Sequence, residues 1–296
     1  MANYDDLLDN ASAEEHNGQL SKDDYAAKKK AEREEIFNLS DDTAMGVSCD
    51  SEKFRQYLDL HSRFDRYSVV NTLLILAQKA DSSRLGDFDH WKKQGGFVKP
   101  GQTAISILEP QSYVKDDGTP GTGYNIKKVF DVSQVDTRKI RALATPAASY
   151  SERQLLSALI SKAPVKITGV DELPGGLGAM TDPETGGISV RKGMEFADTF
   201  MCVARELSNA DLTTGPDTQA DPRFSAYSAA YLLCKKYGVD TQNFDFSNAP
   251  SVFDGMNAQA VKAELSQIRD VAENISERMA RQLEAQAKAA KNQEAR

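Results

Sequence analysis

One stretch in the second half of the chain has the spacing of a metal-dependent hydrolytic site. Residues 200–212 read FMCVARELSNADL, a pattern typical of an amphipathic helix. In an H-E-x-x-H helix, two histidines one turn apart bind zinc, and the glutamate activates the metal-bound water. In this chain Arg205 and Asn209 occupy the two histidine positions, and Glu206 occupies the position of the glutamate.

Neither Arg205 nor Asn209 can replace a histidine as a zinc ligand. Arg205 carries a fixed positive charge and has no lone pair to offer a cation, and Asn209 offers only a weak oxygen ligand. We therefore predict that the motif holds no metal, that the chain has no cofactor, and that Glu206 is vestigial rather than catalytic. The chain is accordingly predicted not to be an enzyme.

An alternative hypothesis keeps a metal-dependent enzyme with a different set of ligands. In that case Glu206 combines with Asp211, Asp217 or Asp221. Such an all-oxygen set suits magnesium, calcium or manganese better than a hydrolytic zinc ion.

The length and composition indicate a soluble protein of about two domains. The chain has 296 residues, 40% of them hydrophobic and 27% charged, which is enough for two buried cores. No apolar run approaches the roughly 18 residues that a membrane span needs, and the acidic start does not resemble an export signal. We therefore predict a cytoplasmic protein without a membrane partner.

The cysteines indicate neither disulfides nor a zinc site. Cys49, Cys202 and Cys234 lack C-x-x-C spacing, which favours buried thiols.

Charge is unevenly distributed along the chain. The net charge is −8, yet residues 1–48 hold 5 Lys and Arg against 12 Asp and Glu, whereas residues 53–141 hold 15 against 10. A basic segment in an acidic protein can still bind a polyanion, because the local charge determines the field at a groove. Residues 53–141 therefore either bind a nucleic acid or present an ordinary basic surface.

The order of helical and strand patterns predicts an α+β chain with five segments. Residues 1–48 form an acidic, loosely ordered helical segment, residues 49–141 a domain of helices plus a β-hairpin, and residues 142–150 a linker. Residues 151–285 form a second α+β domain, and residues 286–296 a frayed tail.

The predicted first domain begins with two helices and continues into strands. Helical spacing covers FRQYLDLHSRF and YSVVNTLLILAQ, the second starting at Ser68 as N-cap. Asn71 and Gln78 interrupt this second, apolar helix, so each must find a partner or line a groove. TAISILEP alternates as a strand, DDGTPGTG forms a hairpin loop, and YNIKKVFDVSQ returns as the second strand.

Cations lie between aromatic residues in this predicted domain. Single-stranded nucleic acid suits such a surface, because phosphates bind the cations while unpaired bases stack on rings at roughly 1–3 kcal/mol each. We predict Tyr67 and Trp91 as stacking residues, with Tyr113 and Tyr124 nearby; the alternative is that Tyr67 or Trp91 is a core residue. The other candidate DNA-binding residues are the cations and amides of the same segment: Arg63, Arg66, Asn71, Gln78, Lys92, Lys93, Lys99, Lys127 and Lys128.

The predicted second domain alternates helices and strands around residues 200–212. The helix SERQLLSALISKA precedes the strand PVKITGV, and a strand–turn–strand unit leads into the helix from Met194. FSAYSAAYLLCKKYGVDT is an apolar helix that ends at Gly238. A long amphipathic helix follows from Asn257.

Two separated blocks of the sequence match one family. RFDRYSVVNTLLILAQ, WKKQGGFVKPGQTAISILEP and VFDVSQ resemble the N-terminal domain of ArdC-type antirestriction proteins and their LtrC-like relatives on plasmids and conjugative elements. GISVRKGMEFADTFMCVARELSNAD followed by AYSAAYLLCKKYGVDT is similar to the zincin-like (SprT-like) metallopeptidase domain that follows in that family. The resemblance covers about residues 50–280, in the same order.

The resemblance implies that the first domain binds single-stranded DNA and that the second has a peptidase-like fold. Carried over to this sequence, the two helical zinc ligands fall at Arg205 and Asn209, and the catalytic glutamate at Glu206. The third, acidic ligand falls near Tyr227, so all three metal ligands depart from the family pattern. The guanidinium of Arg205 would instead pair with Glu206 or with another acid in the old pocket, and would there replace the charge of the metal.

The leading hypothesis is a single-stranded DNA-binding protein of a plasmid or conjugative element with a catalytically inactive zincin-like domain. Its role is predicted in antirestriction or transfer, and its partners are single-stranded DNA and host restriction or conjugation proteins. A third hypothesis is an interaction protein that inhibits host restriction by mimicking the charge of DNA with the acidic residues 1–48.

Overall fold

The computed structural model divides the chain into two compact units, Met1–Asn38 and Leu39–Arg296. The residues it describes are 22–115, 117–138, 140, 150–213 and 220–294. In the first unit the described residues form the beginning of helix α1 (Lys22–Ser48), which is largely exposed. Within it Lys29 pairs with Glu32 at 2.8 Å.

The second unit contains a front half of helices and a hairpin and a rear half of helices around a small sheet. The front elements are α2 (Ser51–Arg63), α3 (Val69–Lys79), β1 (Leu85–Gly86), α4 (Phe88–Lys93), β2 (Phe97–Val98), β3 (Ile105–Val114), β4 (Pro120–Asp131) and β5 (Val135–Asp136). The rear elements are α5 (Glu152–Ile160), β6 (Ile167–Val170), β7 (Ala179–Thr181), β8 (Ile188–Arg191), α6 (Phe196–Thr213), α7 (Pro222–Tyr237), α8 (Ala249–Val252) and α9 (Ala258–Glu294). The predicted α+β class is confirmed.

The strands form three small sheets. In the first, the order is β1-β4-β3, and β3 pairs antiparallel with β4 from Ile105 opposite Val129 to Val114 opposite Pro120. The second sheet joins β2 and β5, and in the third β8 lies between β6, which is parallel to it, and β7, which is antiparallel. Strands β3 and β7 are therefore edge strands of their sheets.

Two helix ends lie where capping residues predicted them. The Ser68 hydroxyl accepts a hydrogen bond from the Asn71 amide at 3.3 Å, which caps α3. Gly238 follows α7 with φ 69°, the left-handed conformation that ends a helix at a glycine. In the described ranges, every helix is too short or too polar to cross a lipid bilayer.

The hairpin turn is tighter than the predicted loop DDGTPGTG. The Lys115 amide donates to the Thr119 carbonyl at 2.9 Å, and β4 already begins at Pro120. Gly121 and Gly123 therefore lie inside a strand rather than in a loop. A glycine suits position 121 of this strand, because a Cβ atom there would lie 2.7 Å from the Tyr113 ring that crosses this face.

The largest buried cluster contains side chains from both halves of the second unit. Phe54 of α2 lies 5.3 Å from Phe224, 5.3 Å from Phe246 and 5.5 Å from Phe253, measured between ring centroids. A smaller cluster packs α2 and α3 against the base of the hairpin. The predicted linker residues 142–149 lie outside the described residues, and the predicted domain boundaries stay predictions.

Two of the three thiols are buried as predicted. Cys202 and Cys234 lie in the core, whereas Cys49 is exposed, which the sequence pattern did not predict.

The long helix α9 buries the predicted apolar stripe, which includes Val261, Leu265 and Ile268. The helix continues through the segment predicted as a frayed tail as far as Glu294.

The edge of β3 is paired with two amide side chains of α3 instead of with another strand. The Asn71 side chain donates to the Leu108 carbonyl at 2.9 Å and accepts from the Leu108 amide at 2.8 Å. One strand period away, Gln78 donates to the Ser106 carbonyl at 2.9 Å and accepts from the Ser106 amide at 2.8 Å. Each side chain thus imitates the backbone of a neighbouring strand and satisfies one residue of the edge.

We expect loss of the Asn71 amide to destabilise the protein more than loss of any exposed amide. In Asn71→Ala the buried Leu108 amide and carbonyl lose their partners, at about 1–3 kcal/mol for each unsatisfied group. The free energy of unfolding in urea should fall by roughly 2–4 kcal/mol. Gln78→Ala should cost less, because water reaches the Ser106 groups more easily.

The control is Asn125→Ala, which removes an exposed amide bonded to Gln111 on the same hairpin. Its effect on the free energy of unfolding should stay within about 0.5 kcal/mol. Equal effects of Asn71→Ala and Asn125→Ala would contradict the proposed pairing of α3 with the edge.

Candidate functional site

Helix α6 positions the residues of the degenerate H-E-x-x-H frame. Its buried face carries Phe200, Val203, Ala204 and Leu207, which pack in the core. This packing turns the neighbouring Arg205, Glu206 and Asn209 towards strand β7 and a cavity beside it. The predicted frame is therefore helical and faces a cavity.

The Glu206 carboxylate is held by four hydrogen bonds. Its Oε1 accepts from Arg205 Nε at 3.1 Å and from Arg205 Nη2 at 2.9 Å. Its Oε2 accepts from the Thr181 amide at 3.1 Å and from the Thr181 hydroxyl at 2.7 Å. A carboxylate offers about four acceptor sites, so these donors occupy its acceptor capacity.

The same contacts satisfy the outer edge of β7. The Thr181 amide points out of the sheet to Glu206, and the Ala179 carbonyl accepts from Arg205 Nη2 at 3.5 Å. Arg205 and Glu206 are partly buried, with 29% and 12% of their side chains exposed. Arg205 and Glu206, which replace the histidine and glutamate of the motif, thus form hydrogen bonds with the backbone of an edge strand.

A cavity of about 630 Å³ opens in front of this pair. Asn209 and Tyr227, which stand at lost-ligand positions, both line it, together with Arg223. The Tyr227 hydroxyl accepts from the Asp245 amide at 2.9 Å, and burial raises the pKa of Tyr227. The structure therefore brings all four residues of the predicted vestigial site together.

Of the alternative oxygen ligands that the structure describes, only Asp221 lies in the same cavity as Glu206. Asp221 lines the cavity, but its Oδ1 accepts from the Arg223 amide at 2.9 Å and caps α7. Asp211 does not line the cavity, and burial raises its pKa. Asp217 lies outside the described residues. Across the parts of the chain that the structure describes, no three His, Cys, Asp or Glu side chains come together in an arrangement that could hold a metal ion.

The lysines of the hairpin do not share one surface. Lys127 and Lys128 are consecutive in β4, so their side chains point to opposite faces. Lys127 lies between Glu109 at 2.8 Å and Asp87 at 3.3 Å, and its bond to Glu109 raises its pKa. Lys128 donates to the Ser106 hydroxyl at 2.7 Å. The prediction that both lysines contribute to one phosphate-binding face is wrong.

Trp91 is a core residue and not a stacking surface. Its side chain is fully buried, and its Nε1 donates to the Phe130 carbonyl at 3.0 Å. The indole is also bounded by His90 at 5.2 Å and by Arg84 at 5.8 Å. The predicted role of Trp91 in base stacking is therefore wrong, because no face of the ring is open.

Other predicted contacts also serve the fold. Asn71 and Gln78 are used by the β3 edge, and Arg63 donates to the Ser82 carbonyl at 2.8 Å. Arg66 is exposed beside a separate crevice of about 280 Å³. Tyr67 is half-buried against Phe64 but lines a notch at the base of the hairpin.

Exposed cations and rings do coincide on α4 and β2. Lys92 and Lys93 are exposed, and within the described residues neither forms an ion pair. Phe88, one turn before Lys92, is 53% exposed, and Phe97, two residues before Lys99, is 52% exposed. Residues four apart in a helix share a face, as do residues two apart in an extended strand. Lys99 directly follows β2 and continues its pairing with β5, because its amide donates to the Gln134 carbonyl at 2.9 Å. Each ring therefore lies beside a lysine.

The outer half of the hairpin adds two exposed rings. Tyr113 is 51% exposed and lies over the face of Gly121, while Tyr124 is 44% exposed on the opposite face. Beyond Leu108 the strands of the hairpin are exposed on most of both faces.

Comparison with known proteins identifies the front half. Residues 47–145 match the family model described as the N-terminal domain of anti-restriction factor ArdC. The fold is similar to the metal-free crystal structure of the antirestriction ArdC protein from plasmid R388, with a TM-score of 0.50, 16% identity, and coverage of 73% of this chain and 86% of that chain. Residues 47–145 therefore form an ArdC-type N-terminal domain.

A second crystal structure of the R388 ArdC protein, with Mn(II) bound, matches equally well. Its TM-score is 0.51 at 15% identity, and the match covers 72% of this chain and 85% of that chain. At these identities the likeness shows the fold. No protein of curated function matches the sequence.

Three residues of the chain were not predicted as part of a site. Thr181 completes the hydrogen bonding of Glu206, and Phe88 and Phe97 provide the exposed rings beside lysines. The spacings Phe88–Lys92 and Phe97–Lys99 were a usable signal in the sequence. No comparable signal linked Thr181 to Glu206, because the contact depends on how β7 lies against α6.

We expect the Arg205–Glu206 pair to be energetically coupled. A double-mutant cycle of Arg205→Met and Glu206→Gln, measured by chemical denaturation, should give a coupling of about 1–3 kcal/mol, because the pair is partly buried and shares the edge of β7.

The matched control is the exposed pair Lys192 and Asp171, whose charged atoms lie 3.1 Å apart. The corresponding cycle should give about 0.5 kcal/mol or less. If the two cycles agree, Arg205 and Glu206 form an ordinary surface ion pair and do not stabilise the edge of β7.

Proposed function

We propose that this ArdC-type chain is an antirestriction protein that binds single-stranded DNA along α4 and β2 of its ArdC N-terminal domain. The observation that carries the proposal is the juxtaposition of two exposed phenylalanines with three exposed lysines, at Phe88, Lys92, Lys93, Phe97 and Lys99. All five residues lie in the range 47–145 that matches the ArdC N-terminal domain, which supports this domain as the one that binds DNA.

The chemistry of this surface favours an unpaired strand over a duplex. Exposed rings gain stacking energy only from bases whose faces are free, at roughly 1–3 kcal/mol per base. The ammonium groups of Lys92 and Lys93 are available to phosphates, whereas Lys99 also donates to the Ser133 carbonyl at 2.9 Å. Lys127 contributes little in this view, because two carboxylates already neutralise it.

We expect the protein to bind short single-stranded oligonucleotides more tightly than duplexes of the same sequence. Fluorescence anisotropy across a series of salt concentrations should show an affinity that falls steeply, with a log–log slope of about −0.7 for each neutralised phosphate. A Lys92→Ala/Lys93→Ala variant should reduce this slope by about 1.4. Phe97→Ala should weaken binding by about 1–3 kcal/mol at every salt concentration.

The matched controls are Lys53→Ala/Lys166→Ala and Leu177→Ala, which remove exposed lysines and an exposed apolar side chain elsewhere. These variants should bind like the wild type. Salt-independent binding, or equal affinity for the duplex, would contradict the proposal.

We further propose that the rear half is a zincin-like domain without peptidase activity. Glu206 could act as a general base only if one oxygen were free to accept a proton from water. In this chain Arg205 and Thr181 already donate to both oxygens.

The hydrogen-bond donors around Glu206 do not suit a manganese ion such as the one in the R388 ArdC structure. Mn(II) prefers carboxylate, carbonyl and water oxygens, and one of the matched R388 ArdC structures contains Mn(II). Around Glu206 the positions next to the carboxylate are taken by a guanidinium, an amide and a hydroxyl. A cation would have to displace Arg205, which repels it.

We expect no stoichiometric Mn(II) or Zn(II) in the purified protein by elemental analysis, and none bound in calorimetric titrations at the Glu206 cavity. An Arg205→His/Asn209→His/Tyr227→Glu variant restores the ligand types of the family pattern and should gain metal binding. Tight binding to the wild type that is lost in Glu206→Gln would overturn the proposal and favour a metal-dependent enzyme.

A further inference from the structure

A notch at the base of the hairpin lies next to the proposed DNA surface. Its volume is about 330 Å³, far more than the roughly 30 Å³ that one water occupies in the liquid. Asp87, which immediately precedes Phe88, contributes to its rim. A strand that stacks on Phe88 can therefore place a neighbouring base at the notch.

The walls of the notch suit a flat ring. Ile107 and Val129 form an apolar floor at the base of the hairpin, and the half-buried ring of Tyr67 stands beside them. The Tyr67 ring is fixed edge-on against Phe64, with centroids 5.7 Å apart and an interplanar angle of 89°. An aromatic wall held in this way is a pre-organised surface for stacking.

The rim of the notch is acidic. Asp87 and Glu109 contribute two carboxylates, and Lys127 between them contributes one ammonium group. Such a rim repels a phosphate, so an occupant of the notch must be a neutral part of the strand. A carboxylate is an acceptor without a donor, and it pairs with the exocyclic amino group of a base rather than with a carbonyl.

Glu109 has the acceptor capacity for this contact. Only its Oε1 is engaged by Lys127, at 2.8 Å, and its side chain is exposed at the rim. Asp87, in contrast, uses one oxygen to accept from the His90 amide at 2.7 Å and the other to pair with Lys127.

We propose that the notch between Tyr67 and Glu109 binds one unpaired base that carries an exocyclic amino group. Tyr67 provides the stacking face, and Glu109 accepts a hydrogen bond from the amino group. This inference rests on the proposed binding of single-stranded DNA and adds a preference for cytosine over uracil or thymine.

The test compares oligo(dC) with oligo(dU) of equal length, because the two pyrimidines differ at C4 in an amino group against a carbonyl. Wild-type protein should bind oligo(dC) about ten- to a hundredfold more tightly, which corresponds to one hydrogen bond to a charged acceptor. Glu109→Met removes the acceptor and should abolish the preference. It should also tighten binding of oligo(dU), since phosphates are no longer repelled.

Further variants separate the role of Glu109 at the rim from the role of Tyr67 at the wall. Glu109→Lys replaces an acceptor with a donor and should reverse the preference towards oligo(dU). Tyr67→Leu should weaken binding of both oligonucleotides, whereas Tyr67→Phe should bind like the wild type. The control is Glu172→Met, an exposed glutamate away from the notch, which should keep the wild-type preference.

The outcomes distinguish this inference from the proposed function. If wild-type protein binds both oligonucleotides with equal affinity, or if Glu109→Met keeps the preference for cytosine, the notch does not read a base although the protein binds single strands. If neither oligonucleotide binds, the proposed function itself fails.

Discussion

The fold depends on how two sheet edges satisfy their backbone hydrogen bonds. Among the described residues no strand lies on the outer side of β3, and the side-chain amides of Asn71 and Gln78 take the place of one. Strand β7 is also an edge strand, and Glu206 and Arg205 form the hydrogen bonds to its outward-facing Thr181 amide and Ala179 carbonyl. In both cases a helix lies alongside an edge and supplies side chains as substitutes for a strand, which also prevents edge-to-edge association.

This constraint explains why the two candidate sites differ. At β7 both oxygens of Glu206 are engaged, Oε1 by the Arg205 guanidinium and Oε2 by the amide and hydroxyl of Thr181. At β3 the pairing with α3 stops at Leu108, and the hairpin beyond it is exposed. The notch beside Tyr67 lies where the paired part of the hairpin gives way to the exposed part.

The sequence predicted what depends on local pattern. The α+β class, the cap at Ser68 and the helix end at Gly238 followed from neighbouring residues. The Arg205–Glu206 pair is one of the two pairings that the sequence left open for Arg205. The sequence did not decide whether Trp91 is buried, because an indole next to two lysines is found both in cores and on surfaces. The opposite faces of Lys127 and Lys128 were predictable from strand alternation, whereas the Thr181–Glu206 contact requires knowledge of how two distant elements pack.

Hydrogen exchange of individual amides, measured by NMR, tests the central claim most directly. The Ser106 and Leu108 amides point away from β4 and bond to α3, and the Thr181 amide bonds to Glu206. The account predicts slow exchange at all three and fast exchange at Ser112, which has the same orientation on the exposed part of β3. Exchange at Ser106 and Leu108 as fast as at Ser112 would contradict it.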